Sequence, residues 1–226
     1  MSFDAASVKA RPLIEQAPDG RPIRRAMVAR PGRVTFSTGK VSADDVSARS
    51  LILAAYRLPV TQLAGGPDWI DWDSFDIEAK APGPAEDADL RQMLQKMLAD
   101  RFKLVVHQET KVMHAEAIVV AKNGPQLQPW KPGQTLPYMA PKKGMVGSYR
   151  SHGTLAQLAH LLAGDPWETY PVVDRTGLEG DFILQFQWRE AESMRHAIRD
   201  IGLRTRGVKT AVDILVVDRI ERPAQN

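Results

Sequence analysis

Between Leu90 and Phe102 the apolar residues Leu90, Met93, Leu94, Met97 and Leu98 recur at the spacing of a helix with one buried face. Asp87 and Asp89 suit the start of such a helix, and Arg101 and Lys103 suit its end. Past Phe102 the period drops to two, with Leu104 and Val106 alternating against Val105 and His107. A polar tip over 108–113 and a second apolar run over 115–121 predict a hairpin.

The same reasoning extends along the chain. Residues 1–32 predict an extended lead-in, with Ser7, Val8 and Lys9 in an edge strand. Residues 33–43 predict a hairpin with Thr38 and Gly39 near its tip. Ser42 or Ser47 can cap a helix running to Tyr56, which Pro59 stops. SFDIEA, from Ser74, alternates as a half-buried strand does. Residues 123–144 hold five prolines and no period, the signature of a linker or long surface loop, and Trp130 and Tyr138 predict that part of it lies against a domain. Beyond it come Ser148–Ser151, a helix from Thr154, a strand over 171–174, a turn over 176–180 and a strand over 182–188. A helix over 191–201, stopped by Gly202, and a hairpin formed by 203–209 and 212–220 complete the pattern.

The two halves therefore share one element order, and the register can be tested by subtraction. Thr154 lies 107 positions after Ser47, and the same offset relates Leu158 to Leu51, Phe182 to Phe75 and Leu184 to Ile77. The expectation is an α+β fold of two tandem repeats, each helix-strand-strand-helix-strand-strand, with helices packed on small mixed sheets. Its division is a lead-in over 1–32, a first repeat over 33–122, a Pro-rich linker over 123–144 and a second repeat over 145–222.

Composition narrows the classes. With no cysteine, disulfides, thiol nucleophiles and cysteine metal sites are excluded. No apolar run reaches the roughly 18–20 residues of a bilayer span. The net charge of +3 owes much to Arg21, Arg24, Arg25, Arg30 and Arg33, without the dense basic face and interleaved aromatics of a nucleic-acid binder. No nucleic-acid partner and no membrane span are therefore expected, while contact with an anionic surface or an acidic glycan stays open.

Candidate chemistry is sparse. His107 and Glu109 share one strand face, where a carboxylate could orient an imidazole for acid–base work. Asp174 ends a strand beside Arg175, as a binding loop would place it, although a turn with Gly177 at positive φ uses the same residues. His107, Glu109 and Asp174 are thus the catalytic candidates of a hydrolase reading. Adding His114 gives no established zinc spacing, so no metal and no cofactor are expected. Nucleophile elbow, P-loop and dinucleotide fingerprint are all lacking. Trp69, Trp72, Trp130, Tyr138 and Trp167 fall in loops rather than in the periodic cores, where they can contact a protein, peptide or glycan or else cap the cores.

Two resemblances add to this reading. The stretch VVDRTGLEGDFILQFQWREAESMRHAIRDIGLRTRGVKTAVDILVVDRI resembles the short N-terminal signalling domain of secretins and TonB-dependent receptors. Residues 90–122 are similar, with Arg101–Phe102 in place of the Gly-Leu pair. That likeness implies a periplasmic protein-contact module. Across nearly its whole length, through FDAASVK, GGPDW, FDIEAKA, MLADRFKLVVHQET, VVDRTGLEGDF and VVDRIERP, the chain resembles a large family of secreted proteins of unknown function associated with soil bacteria. Members carry a signal peptide just before the FDAASVK-like segment, which implies that Met1–Ser2 opens a mature periplasmic or secreted form. The expected role is that of an exported binding protein working through its loop aromatics in the cell envelope. The alternative is a hydrolase with its acid–base site in a cleft between the repeats.

Overall fold

A computed structural model describes residues 1–11, 14–16, 22–24, 33–164, 169–189 and 194–224. The chain divides into two units, the first formed by Met1–Leu58, Leu63–Glu109 and Leu215–Asn226, the second by Pro59–Gln62 and Thr110–Ile214.

The first unit opens with strand β1 (Ala5–Arg11) and the small hairpin β2 (Ile14–Gln16) and β3 (Pro22–Arg24). Strands β4 (Val34–Ser37) and β5 (Lys40–Ser47) form the expected hairpin, and helix α1 (Ala48–Tyr56) follows. Ser47 is the cap: its side chain accepts a hydrogen bond from the Ser50 amide, satisfying one of the helix's orphan donors. Arg57, in the left-handed region, ends the helix before Pro59 is reached. Strand β6 (Leu63–Gly65), helix α2 (Trp69–Trp72), strand β7 (Ser74–Lys80) and helix α3 (Asp87–Phe102) come next.

The sheet runs β1-β7-β5-β4, with every neighbour pair antiparallel, so β1 is an edge strand. Leu51 and Ile52 of α1 and Leu90, Leu94, Leu98 and Phe102 of α3 are buried together with Phe75 and Ile77 of β7. Phe75 meets Phe102 edge-on at 5.1 Å. Helix α3 also serves the open end of α1: the Gln95 amide donates to the Ala55 carbonyl at 2.9 Å, and Arg91 donates to the Ala54 carbonyl. Carbonyls without an intrahelical partner are thereby satisfied.

The main departure from the expected pattern is strand β8 (Val105–Val120), a single strand of 16 residues where a hairpin was expected. A second long strand, β13 (Leu203–Arg219), replaces the terminal hairpin in the same way. The polar stretch 108–113 has no Gly, Pro, Asn or Asp to set a turn. Its side chains are exposed on both faces apart from Met113, so polarity marks a solvated ribbon, not a reversal. Both strands begin in one unit and finish in the other. In the first unit β6 pairs parallel to β13, from Leu63 opposite Leu215 to Gly65 opposite Val217.

The second unit adds β9 (Gln128–Pro129), β10 (Gly147–Gly153), helix α4 (Leu155–Ala163), β11 (Val172–Asp174), β12 (Phe182–Trp188) and the short helix α5 (Met194–Ala197). Thr154 caps α4 in a full capping box with Gln157. A 3-10 turn, Ile198–Ile201, continues α5 and ends at Gly202 with φ 75°. A side chain there would also strike the Gly124 carbonyl, so the stop requires glycine twice over. The expected helix start at 191–193 lies outside the described residues. Sheet order is β10-β12-β9, and β11 pairs parallel to β8 from Val172 opposite Glu116. Leu155, Leu158 and Leu162 of α4, Leu184 and Phe186 of β12, and Ile198 form the core beneath it. Helices with small mixed sheets make this an α+β fold.

In the first unit β5 carries a bulge: Ala43 faces Ile77 and Val46 faces Phe75, leaving one extra residue. Asp45 takes φ 56° there, and its amide donates to Asp76 at 2.9 Å. Arg11 donates to Asp76 at 2.6 Å and also to Asp44. Partial burial opposes ionisation of Asp76, but Arg11 and the Asp45 amide outweigh it and hold its carboxyl below the usual carboxylate range. A depressed native pKa contributes stability that is present above the unfolded-state pKa and is lost as pH falls through the native one. Asp76→Asn is expected to cost about 1–2 kcal/mol at neutral pH and to flatten the decline of stability in acid. Urea unfolding across pH 2–7, roughly the window in which carboxylates titrate, measures both.

Candidate functional site

The outer face of the second unit is built from the alternation of β12. In an antiparallel pair, residues directly opposite each other point to the same side. The register sets His152 opposite Ile183, Arg150 opposite Gln185 and Ser148 opposite Gln187. Leu184 and Phe186 point the other way, into the core. The sheet therefore shows helices one face and these six residues the other.

The Pro-rich segment lies on that second face and belongs to this unit. Gln185 donates to the Pro137 carbonyl at 2.7 Å, and Arg150 donates to the Leu136 carbonyl at 2.9 Å. Gln187 holds two points at once: its amide donates to the Ala140 carbonyl at 2.7 Å and its carbonyl accepts the Lys142 amide at 2.8 Å. With 5% of its surface exposed, Gln187 is the one buried polar side chain among the described residues. Its donor and acceptor must both be met, and the strap backbone meets them. Further back, Gln126 donates to the Ile201 carbonyl and Trp130 to the Asp181 carbonyl, at 3.0 and 2.8 Å. These six bonds, together with the pairing of Gln128 and Pro129 with β12, fix the segment as a strap.

The strap carries two aromatic side chains, one laid on the sheet and one exposed. Trp130 stacks face to face on His152, with ring centroids 4.2 Å apart and planes 7° apart. His152 Nδ1 lies 3.9 Å from the Asp181 carboxylate, a distance that counts as an ion pair when the imidazole is protonated. Tyr138 is 81% exposed. Below the strap, Met139, Pro141, Met145, Val146, Gly147, Ser148 and Gln187 line a cleft of about 170 Å³. Gly147 is needed at its wall, because a side chain there would occupy the space of the Trp188 ring.

The remaining candidates are placed differently. Trp69 is half-buried against the first unit's core, 6.4 Å from Phe75 and 5.1 Å beneath the Arg222 guanidinium. It caps that core. Trp72, in the same short helix, is 54% exposed. Trp167 lies outside the described residues. His107 takes a partner that the sequence did not suggest: its Nδ1 is 2.9 Å from both carboxylate oxygens of Asp218. Glu109 is exposed on the same strand. Asp174 accepts from the Thr176 amide at 2.9 Å and from its hydroxyl at 2.7 Å, closing the turn before β12. In the first unit a cleft of about 390 Å³ lies between Phe36–Thr38 and the start of α3. Its Asp87 is already engaged by Arg91, whose hydrogen bond holds the carboxyl below its usual range.

His152, Asp181 and Gln187 are members of the site that sequence reasoning missed. The alternation in FILQFQW shows polar positions at Gln185 and Gln187, but nothing local says that a distant proline-rich stretch is their partner.

These features define an α+β protein whose second unit presents a strap-covered sheet. The chain belongs to the family described as Protein of unknown function (DUF3738), whose model matches residues 49–220. No curated protein matches the chain, and no solved structure does. No helix among the described residues is long and apolar enough to cross a membrane.

Gln187→Leu keeps the volume and removes both strap bonds. It is expected to cost about 1–3 kcal/mol and to release the strap before the sheet. Hydrogen exchange checks this: the Lys142 amide should lose protection while amides of β12 keep theirs.

Proposed function

We propose that this chain is an exported binding protein that contacts a protein or peptide partner through the outer side of its second unit. The observation that carries this reading is the strap, held to β12 by the buried Gln187, presenting Tyr138 to solvent and holding the half-buried Trp130 ring stacked on His152. Exposed aromatics on a fixed frame offer large contact area at small entropic cost. A periplasmic or secreted location is supported by the likeness of the second half to the secretin and TonB-dependent receptor domain. The likeness to a large family of secreted proteins associated with soil bacteria supports the same location.

The two-repeat organisation belongs to the same proposal. Ser47 and Thr154, 107 positions apart, both cap nine-residue helices. Leu51 and Leu158, and Ile77 and Leu184, are buried in their respective cores. These equivalences support a first copy over 33–122 and a second over 145–222, with 123–144 between them.

A hydrolase reading retains one favourable observation. Asp218 can hold His107 in the tautomer that leaves Nε2 free to act as a base.

The binding reading is tested by tryptophan fluorescence. A tryptic digest of cell-envelope proteins is expected to change the emission saturably. Trp130→Ala and Tyr138→Ser should each weaken that response about tenfold or more with little change in melting temperature. A response to soluble peptidoglycan fragments alone, or to neither probe, would overturn it.

A further inference from the structure

We infer that the free edge of β10 is a docking edge for an extended peptide, which joins the sheet as an added strand and seats one apolar side chain in the Met139–Met145 cleft. The inference rests on the binding reading and names the partner's conformation.

Hydrogen-bond parity fixes which groups are on offer. The Trp130 amide donates to the Asp181 carbonyl, and Gln128 stands opposite Ile183. Odd-numbered residues of β12 therefore turn their backbone groups toward β9, and even-numbered ones toward β10. The β10–β12 register pairs those even residues with Gly147, Tyr149, Ser151 and Gly153. Ser148, Arg150 and His152 are left with N–H and C=O groups aimed away from the sheet. Among the described residues no strand or loop backbone meets them. The contrast lies in the first unit, where β5 has β12's counterpart β7 on one side and β4 on the other.

Three outward donors and three outward acceptors, of which only the His152 carbonyl already takes a side-chain bond, from the Ser151 hydroxyl at 3.3 Å, are complemented by another extended polypeptide backbone. The edge has few of the usual deterrents: β10 contains no proline and no lysine, its one charged residue is Arg150, and its register with β12 is unbroken over seven residues. The cleft adjoins this edge, since Gly147 and Ser148 of β10 form part of its wall. Its two methionines give one part of a mixed lining an adaptable apolar surface. In such recognition the backbone bonds supply affinity and the side-chain pocket supplies selectivity.

Side chains around the edge describe the occupant further. On the strap face an incoming strand meets His152, Arg150 and then the cleft beside Ser148, so an antiparallel partner carries carboxylates at two alternate positions and a leucine-sized group at the third. On the core face it runs beside Tyr149, which favours aliphatic residues. A second copy of this chain fits less well, because antiparallel self-pairing centred on Arg150 sets arginine against arginine.

The probe is the blocked peptide Ac-Val-Glu-Val-Glu-Val-Leu-Val-NH2. At millimolar concentration it is expected to slow amide exchange at Ser148, Arg150 and His152. Arg150→Pro removes an outward N–H without removing a bond to β12, and should weaken binding about tenfold relative to Arg150→Ala. Placing proline at the second glutamate of the peptide tests the same bonds with the protein unchanged, and should also abolish the protection. Serine in place of the leucine should weaken binding by an amount the intact edge cannot compensate. Equal binding by Arg150→Pro and Arg150→Ala, or full binding of the proline peptide, would overturn the inference. So would protection of these amides by protein concentration alone, which would assign the edge to a second copy. If tryptophan emission still answers the envelope digest while the β10 amides do not answer the peptide, the edge fails and the binding reading stands.

Discussion

The amide of Gln187 is the constraint on which the outer side of the second unit depends. A primary amide shut away from water needs partners for both its donor and its acceptor. On a strand whose neighbours are already paired, the available partners are backbone groups of the strap, at Ala140 and Lys142. That requirement brings a proline-rich stretch with no periodicity of its own onto the sheet. Once there, it fixes the Trp130 ring on His152, exposes Tyr138 and roofs the methionine cleft.

The first unit uses its polar groups in another way. Arg91 and Gln95 of α3 satisfy the last carbonyls of α1, and Asp76 satisfies the Asp45 amide at the bulge. Each contact joins two elements that already share the core, so polarity there reinforces packing. Trp69 follows the same logic, its ring set between Phe75 and the Arg222 guanidinium. Aromatic residues that look alike in the sequence thus serve opposite ends: Trp69 is drawn into a core, and Trp130 is held on a surface.

Local signals were legible where the physics is local. The Ser47 and Thr154 caps, the helical stripes of α1, α3 and α4, and the alternation of β7 and β12 each depend on residues within a turn or two of each other. The two expected hairpins failed because a run of polar residues is compatible with a turn or with a strand solvated on both faces. Residues 108–113 carry no turn-forming residue that would have decided for the turn. The His107–Asp218 pair was illegible for a related reason: the partners are 111 positions apart, on two different strands.

By itself, then, the sequence determined the α+β class, the helices α1, α3 and α4 and the short strands, because period and capping are written within a few residues. Tertiary structure alone decided that the proline-rich segment is a strap, that Gln187 anchors it and that, among the described residues, one edge of β10 meets no other strand. Those outcomes follow from hydrogen-bond demands between residues some 45 positions apart, and no local pattern encodes which distant backbone will meet them.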